Sequence, residues 1–174
     1  MTVVNTHTRI FSVAPDAVVA IINTLATSND RLWPHEYWPP MILSDGLQEG
    51  SIGGHRPIQY VVKEIQPDQL ISFEFLSPRG FVGTHSFEIK RNDDHSTQLR
   101  HTINITTRGV ARILWPLIIR PLHNALLTDA MHKVSTNLGI EEPPPTWSIR
   151  VRILRWLMSG GQARSRQHSA MEKT

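Results

Sequence analysis

The sequence has 174 residues, of which 40% are hydrophobic and 19% charged, with no cysteine and a formal net charge of +3. Length and apolar content predict one globular domain of about 140 residues with a tail, and the lack of cysteine excludes disulfides and thiolate metal sites. Residues 147–174 contain six Lys/Arg and one acidic residue, whereas residues 1–146 contain twelve and fourteen. The globular part therefore gives no electrostatic reason to expect a nucleic-acid partner.

The sequence shows neither the features of a secretory signal nor a run of about twenty apolar residues. Chains without cysteine also suit a reducing compartment. We therefore expect a cytoplasmic protein that does not span a membrane.

The first 45 residues predict a strand, a helix and an aromatic loop. Residues 2–13 are rich in Val, Thr, Ile and Phe, which favours a strand, and Pro15 opens a short helix. Residues 32–41, LWPHEYWPPM, hold three prolines and three large aromatics, which predicts a rigid apolar loop. Its aromatic side chains, Trp33, Tyr37 and Trp38, would form either a cavity lid or a core plug, and we favour the lid.

Residues 46–54 contain four glycines and predict a sharp turn or bulge. The stretch GSIGGH matches neither GxGxxG nor GxxxxGK[ST], so a phosphate-binding loop is not indicated. No serine lies in a GxSxG pattern either, which leaves hydrolase chemistry without support.

Four strand-like runs follow at 58–65, 70–76, 81–91 and 97–107. The short turns between them, such as QPD and SPRG, predict an antiparallel meander. Next comes a long helix within 109–138, whose clearest part starts at Pro121 and repeats apolar residues every four positions from Leu122 to Val134. Strands that precede a long helix in this way predict an α+β domain with helices on one face of a curved sheet.

This order of elements resembles the START/Bet v 1-like (SRPBCC) superfamily, and within it the polyketide cyclase/dehydrase-like proteins. The segments that carry the resemblance are YVVKEIQPDQLISFEF, THSFEIKRNDDHSTQLRHTINIT and WPLIIRPLHNALLTDAMHKV, and it covers residues 2–139. It implies a helix-grip fold, in which a seven-stranded antiparallel sheet wraps around a long C-terminal helix and encloses an apolar cavity. Two more strands are then required within 42–57. Members of the superfamily bind or transport lipids, sterols and aromatic polyketides, and a minority catalyse cyclisation or dehydration.

Two histidines are the candidate polar residues of that cavity. Period-two alternation places His85 and His101 on the apolar face of their strands. One register that keeps all apolar residues on this face pairs Ile89 with Leu99, Phe87 with His101, and His85 with Ile103. The two histidines are then diagonal neighbours, ~7–8 Å apart by backbone position.

Three roles are open for the histidines: hydrogen-bonded cavity lining, acid/base catalysis by His85 or His101, and metal binding. A metal would need carboxylate partners in a chain without cysteine, but Asp129 is the only carboxylate between Pro121 and Leu138. No His-x-x-x-His spacing occurs either. We therefore predict no metal and no cofactor.

The function that the sequence favours is binding or transport of a lipophilic small molecule in an internal cavity. The alternative is a cyclase/dehydratase-type enzyme that uses a cavity histidine as acid/base. The residues predicted to contact the ligand are Trp33, Tyr37, Trp38, Phe73, Phe75, His85, Phe87, His101, Ile103, Ile119, Leu122, His123 and Leu126.

The predicted domain covers residues 1–140, and residues 141–174 form a Pro-rich linker and a basic tail. The tail segment WSIRVRILRWLM mixes Trp, Ile and Leu with arginine. Such a segment either docks back on the domain, which we favour, or makes a weak contact with a membrane surface. The polar stretch that follows predicts disorder. The oligomeric state is left open.

Overall fold

The structure is a computed structural model that describes residues 1–159. The predicted α+β helix-grip fold is confirmed: one curved antiparallel sheet of seven strands holds a long helix near the C-terminus. The strand order in the sheet is β1-β7-β6-β5-β4-β3-β2. The strands are β1 Thr2–Phe11, β2 Ile42–Leu43, β3 Ile52–His55, β4 Ile58–Gln66, β5 Leu70–Ser77, β6 Phe81–Asp93 and β7 Ser96–Thr107.

Two short strands, β2 and β3, occupy the glycine-rich region where the resemblance required them. A side chain on Gly53 would overlap the carbonyl oxygen of Ile42 on the neighbouring strand. A side chain on Gly54, whose φ is +147°, would likewise overlap the carbonyl oxygen of Ile58 on β4. The glycines thus permit close backbone pairing at this edge of the sheet.

The helices are α1 Pro15–Ile22, α2 Ala111–Leu114, α3 Arg120–Asn137 and α4 Ile149–Met158. A π-helical turn, Trp115–Ile119, joins α2 to α3. The helical segment therefore starts ten residues before Pro121; Pro116 lies within the π-helical turn, and Pro121 follows it in the first turn of α3. None of the helices formed by residues 1–159 is both long and apolar enough to cross a membrane.

Alternation on the strands decides which side chains face α3. On β1, Val3 and Phe11 are buried while Val4 and Ile10 are exposed. On α3, the repeat predicted from the sequence is buried, namely Leu122, Leu126, Ala130 and Val134. The main hydrophobic core therefore lies between the concave face of the sheet and α3.

The aromatic loop is held against α3 by hydrogen bonds. The Lys133 Nζ donates to the carbonyl oxygen of Trp33 at 2.8 Å, and the indole N–H of Trp38 donates to Asp129 Oδ2 at 2.8 Å. Both tryptophans are buried members of the main core. The aromatic loop therefore packs as part of the core, and its function as a cavity lid stays a prediction.

The segment after the linker docks on the same part of α3. The indole N–H of Trp147 donates to Asp129 Oδ2 at 2.9 Å, so one carboxylate oxygen accepts from two tryptophans. The guanidinium of Arg155 lies 3.8 Å from the Trp147 ring centroid and 4.7 Å from that of Trp38. Val151 is buried in the main core. The segment thus docks on the domain, while the predicted disorder concerns residues 160–174, outside the described part of the chain.

The linker is itself tied to the domain at Glu142. This carboxylate pairs with Arg9 of β1 and accepts from His132 Nδ1 of α3 at 2.9 Å. Burial would raise the pKa of Glu142, but hydrogen bonds from His132, Arg9 and Ser135 outweigh it and lower the pKa. The domain boundary predicted at residue 140 stays a prediction.

Candidate functional site

The centre of the candidate site is the pair His85 and His101, on the neighbouring strands β6 and β7. The register predicted from the sequence is confirmed, since Ile89 pairs with Leu99, Phe87 with His101 and His85 with Ile103. Both histidines are buried, with exposed fractions of 6% and 2%. His85 Nδ1 lies 3.3 Å from His101 Nε2, which is hydrogen-bond distance.

Aromatic rings enclose the pair. The ring of Phe73 stacks on His85 with centroids 4.7 Å apart and an interplanar angle of 14°. Tyr60 meets the same imidazole edge-on at 4.7 Å, and Phe87 meets His101 edge-on at 4.7 Å. Neighbours of this kind fix the ring orientations and keep the surroundings of the imidazoles apolar.

Three more histidines extend the cluster on both sides. The ring of His123, on α3, lies 5.0 Å from His101, and His7 of β1 lies 5.6 Å from His123. His7 Nε2 reaches Asn124 Oδ1 at 3.1 Å. On the opposite side, His55 lies 6.0 Å from Tyr60. The row of histidines therefore crosses the domain interior from β3 to β1.

Four buried polar atoms of this cluster have no hydrogen-bond partner among residues 1–159: the Tyr60 hydroxyl, His85 Nε2, His101 Nδ1 and His123 Nδ1. A buried polar atom without a partner costs ~1–3 kcal/mol, and such atoms are rare in folded proteins. Their concentration in one place is therefore unusual for a hydrophobic core.

The histidines of the cluster are neutral at neutral pH. Burial, reinforced by neighbouring histidines, holds the pKa values of His85, His101 and His123 well below 6.5. Burial alone lowers the pKa of His55 to about 4 and raises the pKa of Tyr60 above its usual range. The site thus offers hydrogen-bond donors and acceptors without charge.

A neutral, hydrogen-bonded histidine pair has two free ends of opposite character. If His85 donates from Nδ1, its Nε2 carries a lone pair and His101 Nδ1 carries a proton. The reverse tautomers exchange these roles. In both cases the pair presents an N–H donor at one end and an acceptor at the other, so a ligand hydroxyl can accept at the first end or donate at the second.

A metal site is not apparent in this row of histidines. Within residues 1–159, no group of three or more His, Asp or Glu side chains has an arrangement that could hold a metal ion.

The residues predicted to contact a ligand divide into two adjoining hydrophobic clusters. The main core holds Trp33, Tyr37, Trp38, Phe73, Phe87, Leu122 and Leu126. A second cluster, at the α2 end of the sheet, holds Phe75, Ile103 and Ile119. The histidine row brings members of both together, because His85 contacts Phe73 and lies 5.1 Å from Phe75 by ring centroid.

Sequence reasoning did not assign Tyr60, His7 or Trp115 to the site. Tyr60 is fully buried on β4, and its alternation with the buried Val62 is the pattern that could have identified it. Likewise, His7 shares the inward face of β1 with Val3 and Phe11. Trp115 is buried in the second cluster, 6.4 Å from the His123 ring.

A separate cleft of about 270 Å³ lies between α3, the linker and the start of α4. Asn124 and Asp129 contribute to it from α3. Its remaining lining residues are Pro121, Ala125, Thr128, Pro145, Thr146, Trp147, Ser148 and Val151.

Comparisons with known proteins indicate the fold. No family model matches the sequence, and the search of curated proteins found no match. Among solved structures, norcoclaurine synthase from Thalictrum flavum in complex with dopamine and hydroxybenzaldehyde has a TM-score of 0.60 and 15% identity, covering 83% of this chain and 90% of that one.

Two bacterial structures are similar to the same degree. A solution structure from Thermobifida fusca has a TM-score of 0.60 and 10% identity, covering 80% of this chain and 95% of that one. A conserved protein of unknown function from Enterococcus faecalis has a TM-score of 0.58 and 11% identity, covering 92% and 87%. At these identities the likeness establishes a Bet v 1-like fold.

Proposed function

We propose that the protein binds a lipophilic small molecule whose polar group is recognised by the histidine cluster inside the helix grip. One observation carries the proposal: the buried polar atoms of Tyr60, His85, His101 and His123 lack partners among the described residues and lie between aromatic rings. Polar ligand groups that donate or accept at these atoms would supply the missing hydrogen bonds. The aromatic walls would contact the apolar remainder of the molecule.

The structural neighbours support a binding role of this kind. A norcoclaurine synthase of the same fold was solved with dopamine and hydroxybenzaldehyde, two small aromatic molecules that carry polar groups. The interior of the present chain is likewise aromatic, since Phe73, Phe75 and Phe87 surround the histidine pair. The superfamily resemblance of the sequence favours a lipid, polyketide or aromatic metabolite.

Binding is tested with 2-naphthol and naphthalene, which differ by one hydroxyl group. Titration of the full chain should show tighter binding of 2-naphthol, and His85→Phe should remove that preference while naphthalene still binds. His95→Phe, on the exposed β6–β7 turn, is the matched control and should keep the preference. Equal affinity of the native chain for both molecules would contradict recognition by the cluster.

An enzyme of the cyclase/dehydratase type is the second candidate. The observation that favours it is the 3.3 Å contact between the two imidazoles, because a shift of tautomers would take up a proton at one end of the pair and release one at the other. Native mass spectrometry of protein from its own host would identify a co-purifying molecule. A carrier returns that molecule unchanged, whereas an enzyme converts it and loses turnover in His85→Phe.

A further inference from the structure

We propose that a two-segment surface outside the grip docks on an anionic lipid membrane. The surface, called here the apolar–basic surface, is independent of the ligand site. One segment includes α2 and the π-helical turn, and the other is α4. The exposed apolar residues that define it are Val110, Ile113 and Leu117 in the first segment, and Ile149, Ile153, Trp156 and Leu157 in the second.

The α4 helix carries four apolar residues on its solvent-facing side. Val151 is buried, and Arg155 stacks on the tryptophans beside α3. In contrast, Ile149 is 74% exposed and Trp156 is 55% exposed, on the opposite face. The spacing i, i+4, i+7, i+8 places the four apolar residues of this segment on one stripe. One face of α4 therefore packs on the domain, while a second apolar face is exposed. An exposed apolar stripe of this kind is typical of an interaction surface.

The α2 and π-turn segment repeats this arrangement. Val110, Ile113 and Leu117, spaced i, i+3, i+7, are each more than half exposed. Trp115 points the other way, into the second hydrophobic cluster. The same short helix therefore contributes to the interior with one face and leaves the other face apolar and open.

Arg150 joins the two segments. Pro121 has no N–H to donate to the carbonyl oxygens of Leu117 and Pro116, four and five residues before it. Arg150 Nη2 donates to both oxygens, at 2.6 and 3.2 Å. This places α4 beside the π-helical turn, so the apolar residues of the two segments belong to one surface.

Charge identifies the partner as anionic. Residues 108–120 and 147–158 together contain six arginines and no Asp or Glu. Five of these arginines are exposed, at positions 108, 112, 120, 150 and 152. Exposed Trp, Ile and Leu flanked by arginine is the composition of helices that lie in the interface of a membrane with anionic lipids. A second protein copy would oppose arginine to arginine across a symmetric contact.

The test is co-sedimentation of the full chain with vesicles of phosphatidylcholine, with and without phosphatidylglycerol. We expect binding to the anionic vesicles only, weakened as the salt concentration rises. Both Ile153→Glu/Trp156→Glu and Ile113→Glu/Leu117→Glu should reduce the affinity at least about tenfold, since each removes two apolar side chains from the interface. Ile10→Glu/Ile52→Glu changes two equally exposed isoleucines on β1 and β3 and should bind like the native chain.

Three results would overturn the proposal. If the chain binds both kinds of vesicle equally well, the arginines do not contribute to binding. If Ile10→Glu/Ile52→Glu lowers the affinity as much as the other two variants do, the apolar–basic surface is not the site of contact. The third is a chain that ignores both vesicles but elutes as a dimer, which Ile153→Glu/Trp156→Glu converts to a monomer. That result would assign the surface to a second copy instead.

Discussion

The Nδ1 atom of His85 lies 3.3 Å from the Nε2 atom of His101, in a part of the core where both rings are almost fully buried. A hydrogen bond at this distance requires one imidazole to donate and the other to accept, so two protonated rings could not form it. At least one ring must therefore be neutral in the folded state, and burial lowers the pKa values of both. The stability of the protein must then depend on pH.

We expect the free energy of unfolding to fall as the pH drops below about 6.5, the ordinary pKa of histidine. The folded state keeps His85, His101 and His123 neutral, with lowered pKa values, whereas the unfolded chain binds protons from pH 6.5 downward. Each of these histidines lowers the free energy of unfolding by ~1.4 kcal/mol per pH unit below pH 6.5, as long as it stays neutral in the folded state. Urea unfolding at pH 7, 6 and 5 measures the slope.

The control for that experiment is a pair of variants. His85→Phe removes one buried titrating group and should make the slope shallower by about the contribution of one histidine, whereas His95→Phe, on an exposed turn, should keep the native slope. A stability that stays constant between pH 7 and pH 5 would show that the buried imidazoles do not control it.

Tyr60→Phe should stabilise the protein in the absence of ligand. The hydroxyl of Tyr60 is buried and has no hydrogen-bond partner among residues 1–159, while its ring packs against Phe73 and His85. Removal of the hydroxyl keeps these ring contacts and relieves an unsatisfied polar atom, a gain of up to ~1–3 kcal/mol. Thermal unfolding measures the gain.

The other tyrosine of the chain is the control for this substitution. Tyr37→Phe, in the partly exposed aromatic loop, should bring no gain. A loss of stability in Tyr60→Phe would mean that the hydroxyl is satisfied in the folded protein, which would weaken the argument for a ligand at the cluster.

Leu126→Ala should destabilise the protein by ~2–5 kcal/mol, because it opens a space where α3 packs on the sheet. Leu126 is 4% exposed and belongs to the main core. Leu76→Ala removes the same atoms from a side chain that is 50% exposed and should cost far less. Urea unfolding of both variants makes the comparison, and similar costs would contradict close packing at Leu126.

Trp147→Phe should destabilise the protein by ~1–3 kcal/mol. The substitution keeps an aromatic ring beside Tyr37 but removes the indole N–H that donates to the Asp129 carboxylate, and hydrogen bonds to charged groups are the stronger ones. Trp156→Phe, on the exposed face of α4, should be nearly neutral in chemical unfolding. If both variants behave alike, the bond to Asp129 does not hold the tail.

The sheet and its register followed from the sequence because period-two alternation on β6 and β7 is uninterrupted. Phe87 and Ile89 on one strand, with Leu99 and Ile103 on the other, permit few pairings that bury all of them. The burial of the two histidines followed from the same constraint. The short strands β2 and β3 came only from the resemblance, since glycine-rich segments show little alternation.

The rest of the site depends on contacts between distant segments, which local patterns do not show. His7 is 94 residues from its sheet partner His101, and no spacing rule connects them. The π-helical turn was missed because Pro116 within it and Pro121 after it each indicate a helix start when considered alone. Similarly, the role of Asp129 as acceptor for Trp38 and Trp147 requires the tertiary structure.

The meeting of Trp38, Trp147 and Arg155 at Asp129 has a practical consequence. These are two of the five tryptophans of the chain, and both share a carboxylate oxygen and lie under the same guanidinium. Indole emission responds to nearby charge and to water. Release of α4 would remove the cation from both rings and wet Trp147, so the intrinsic fluorescence of the protein reports the position of its own C-terminal segment without an added dye.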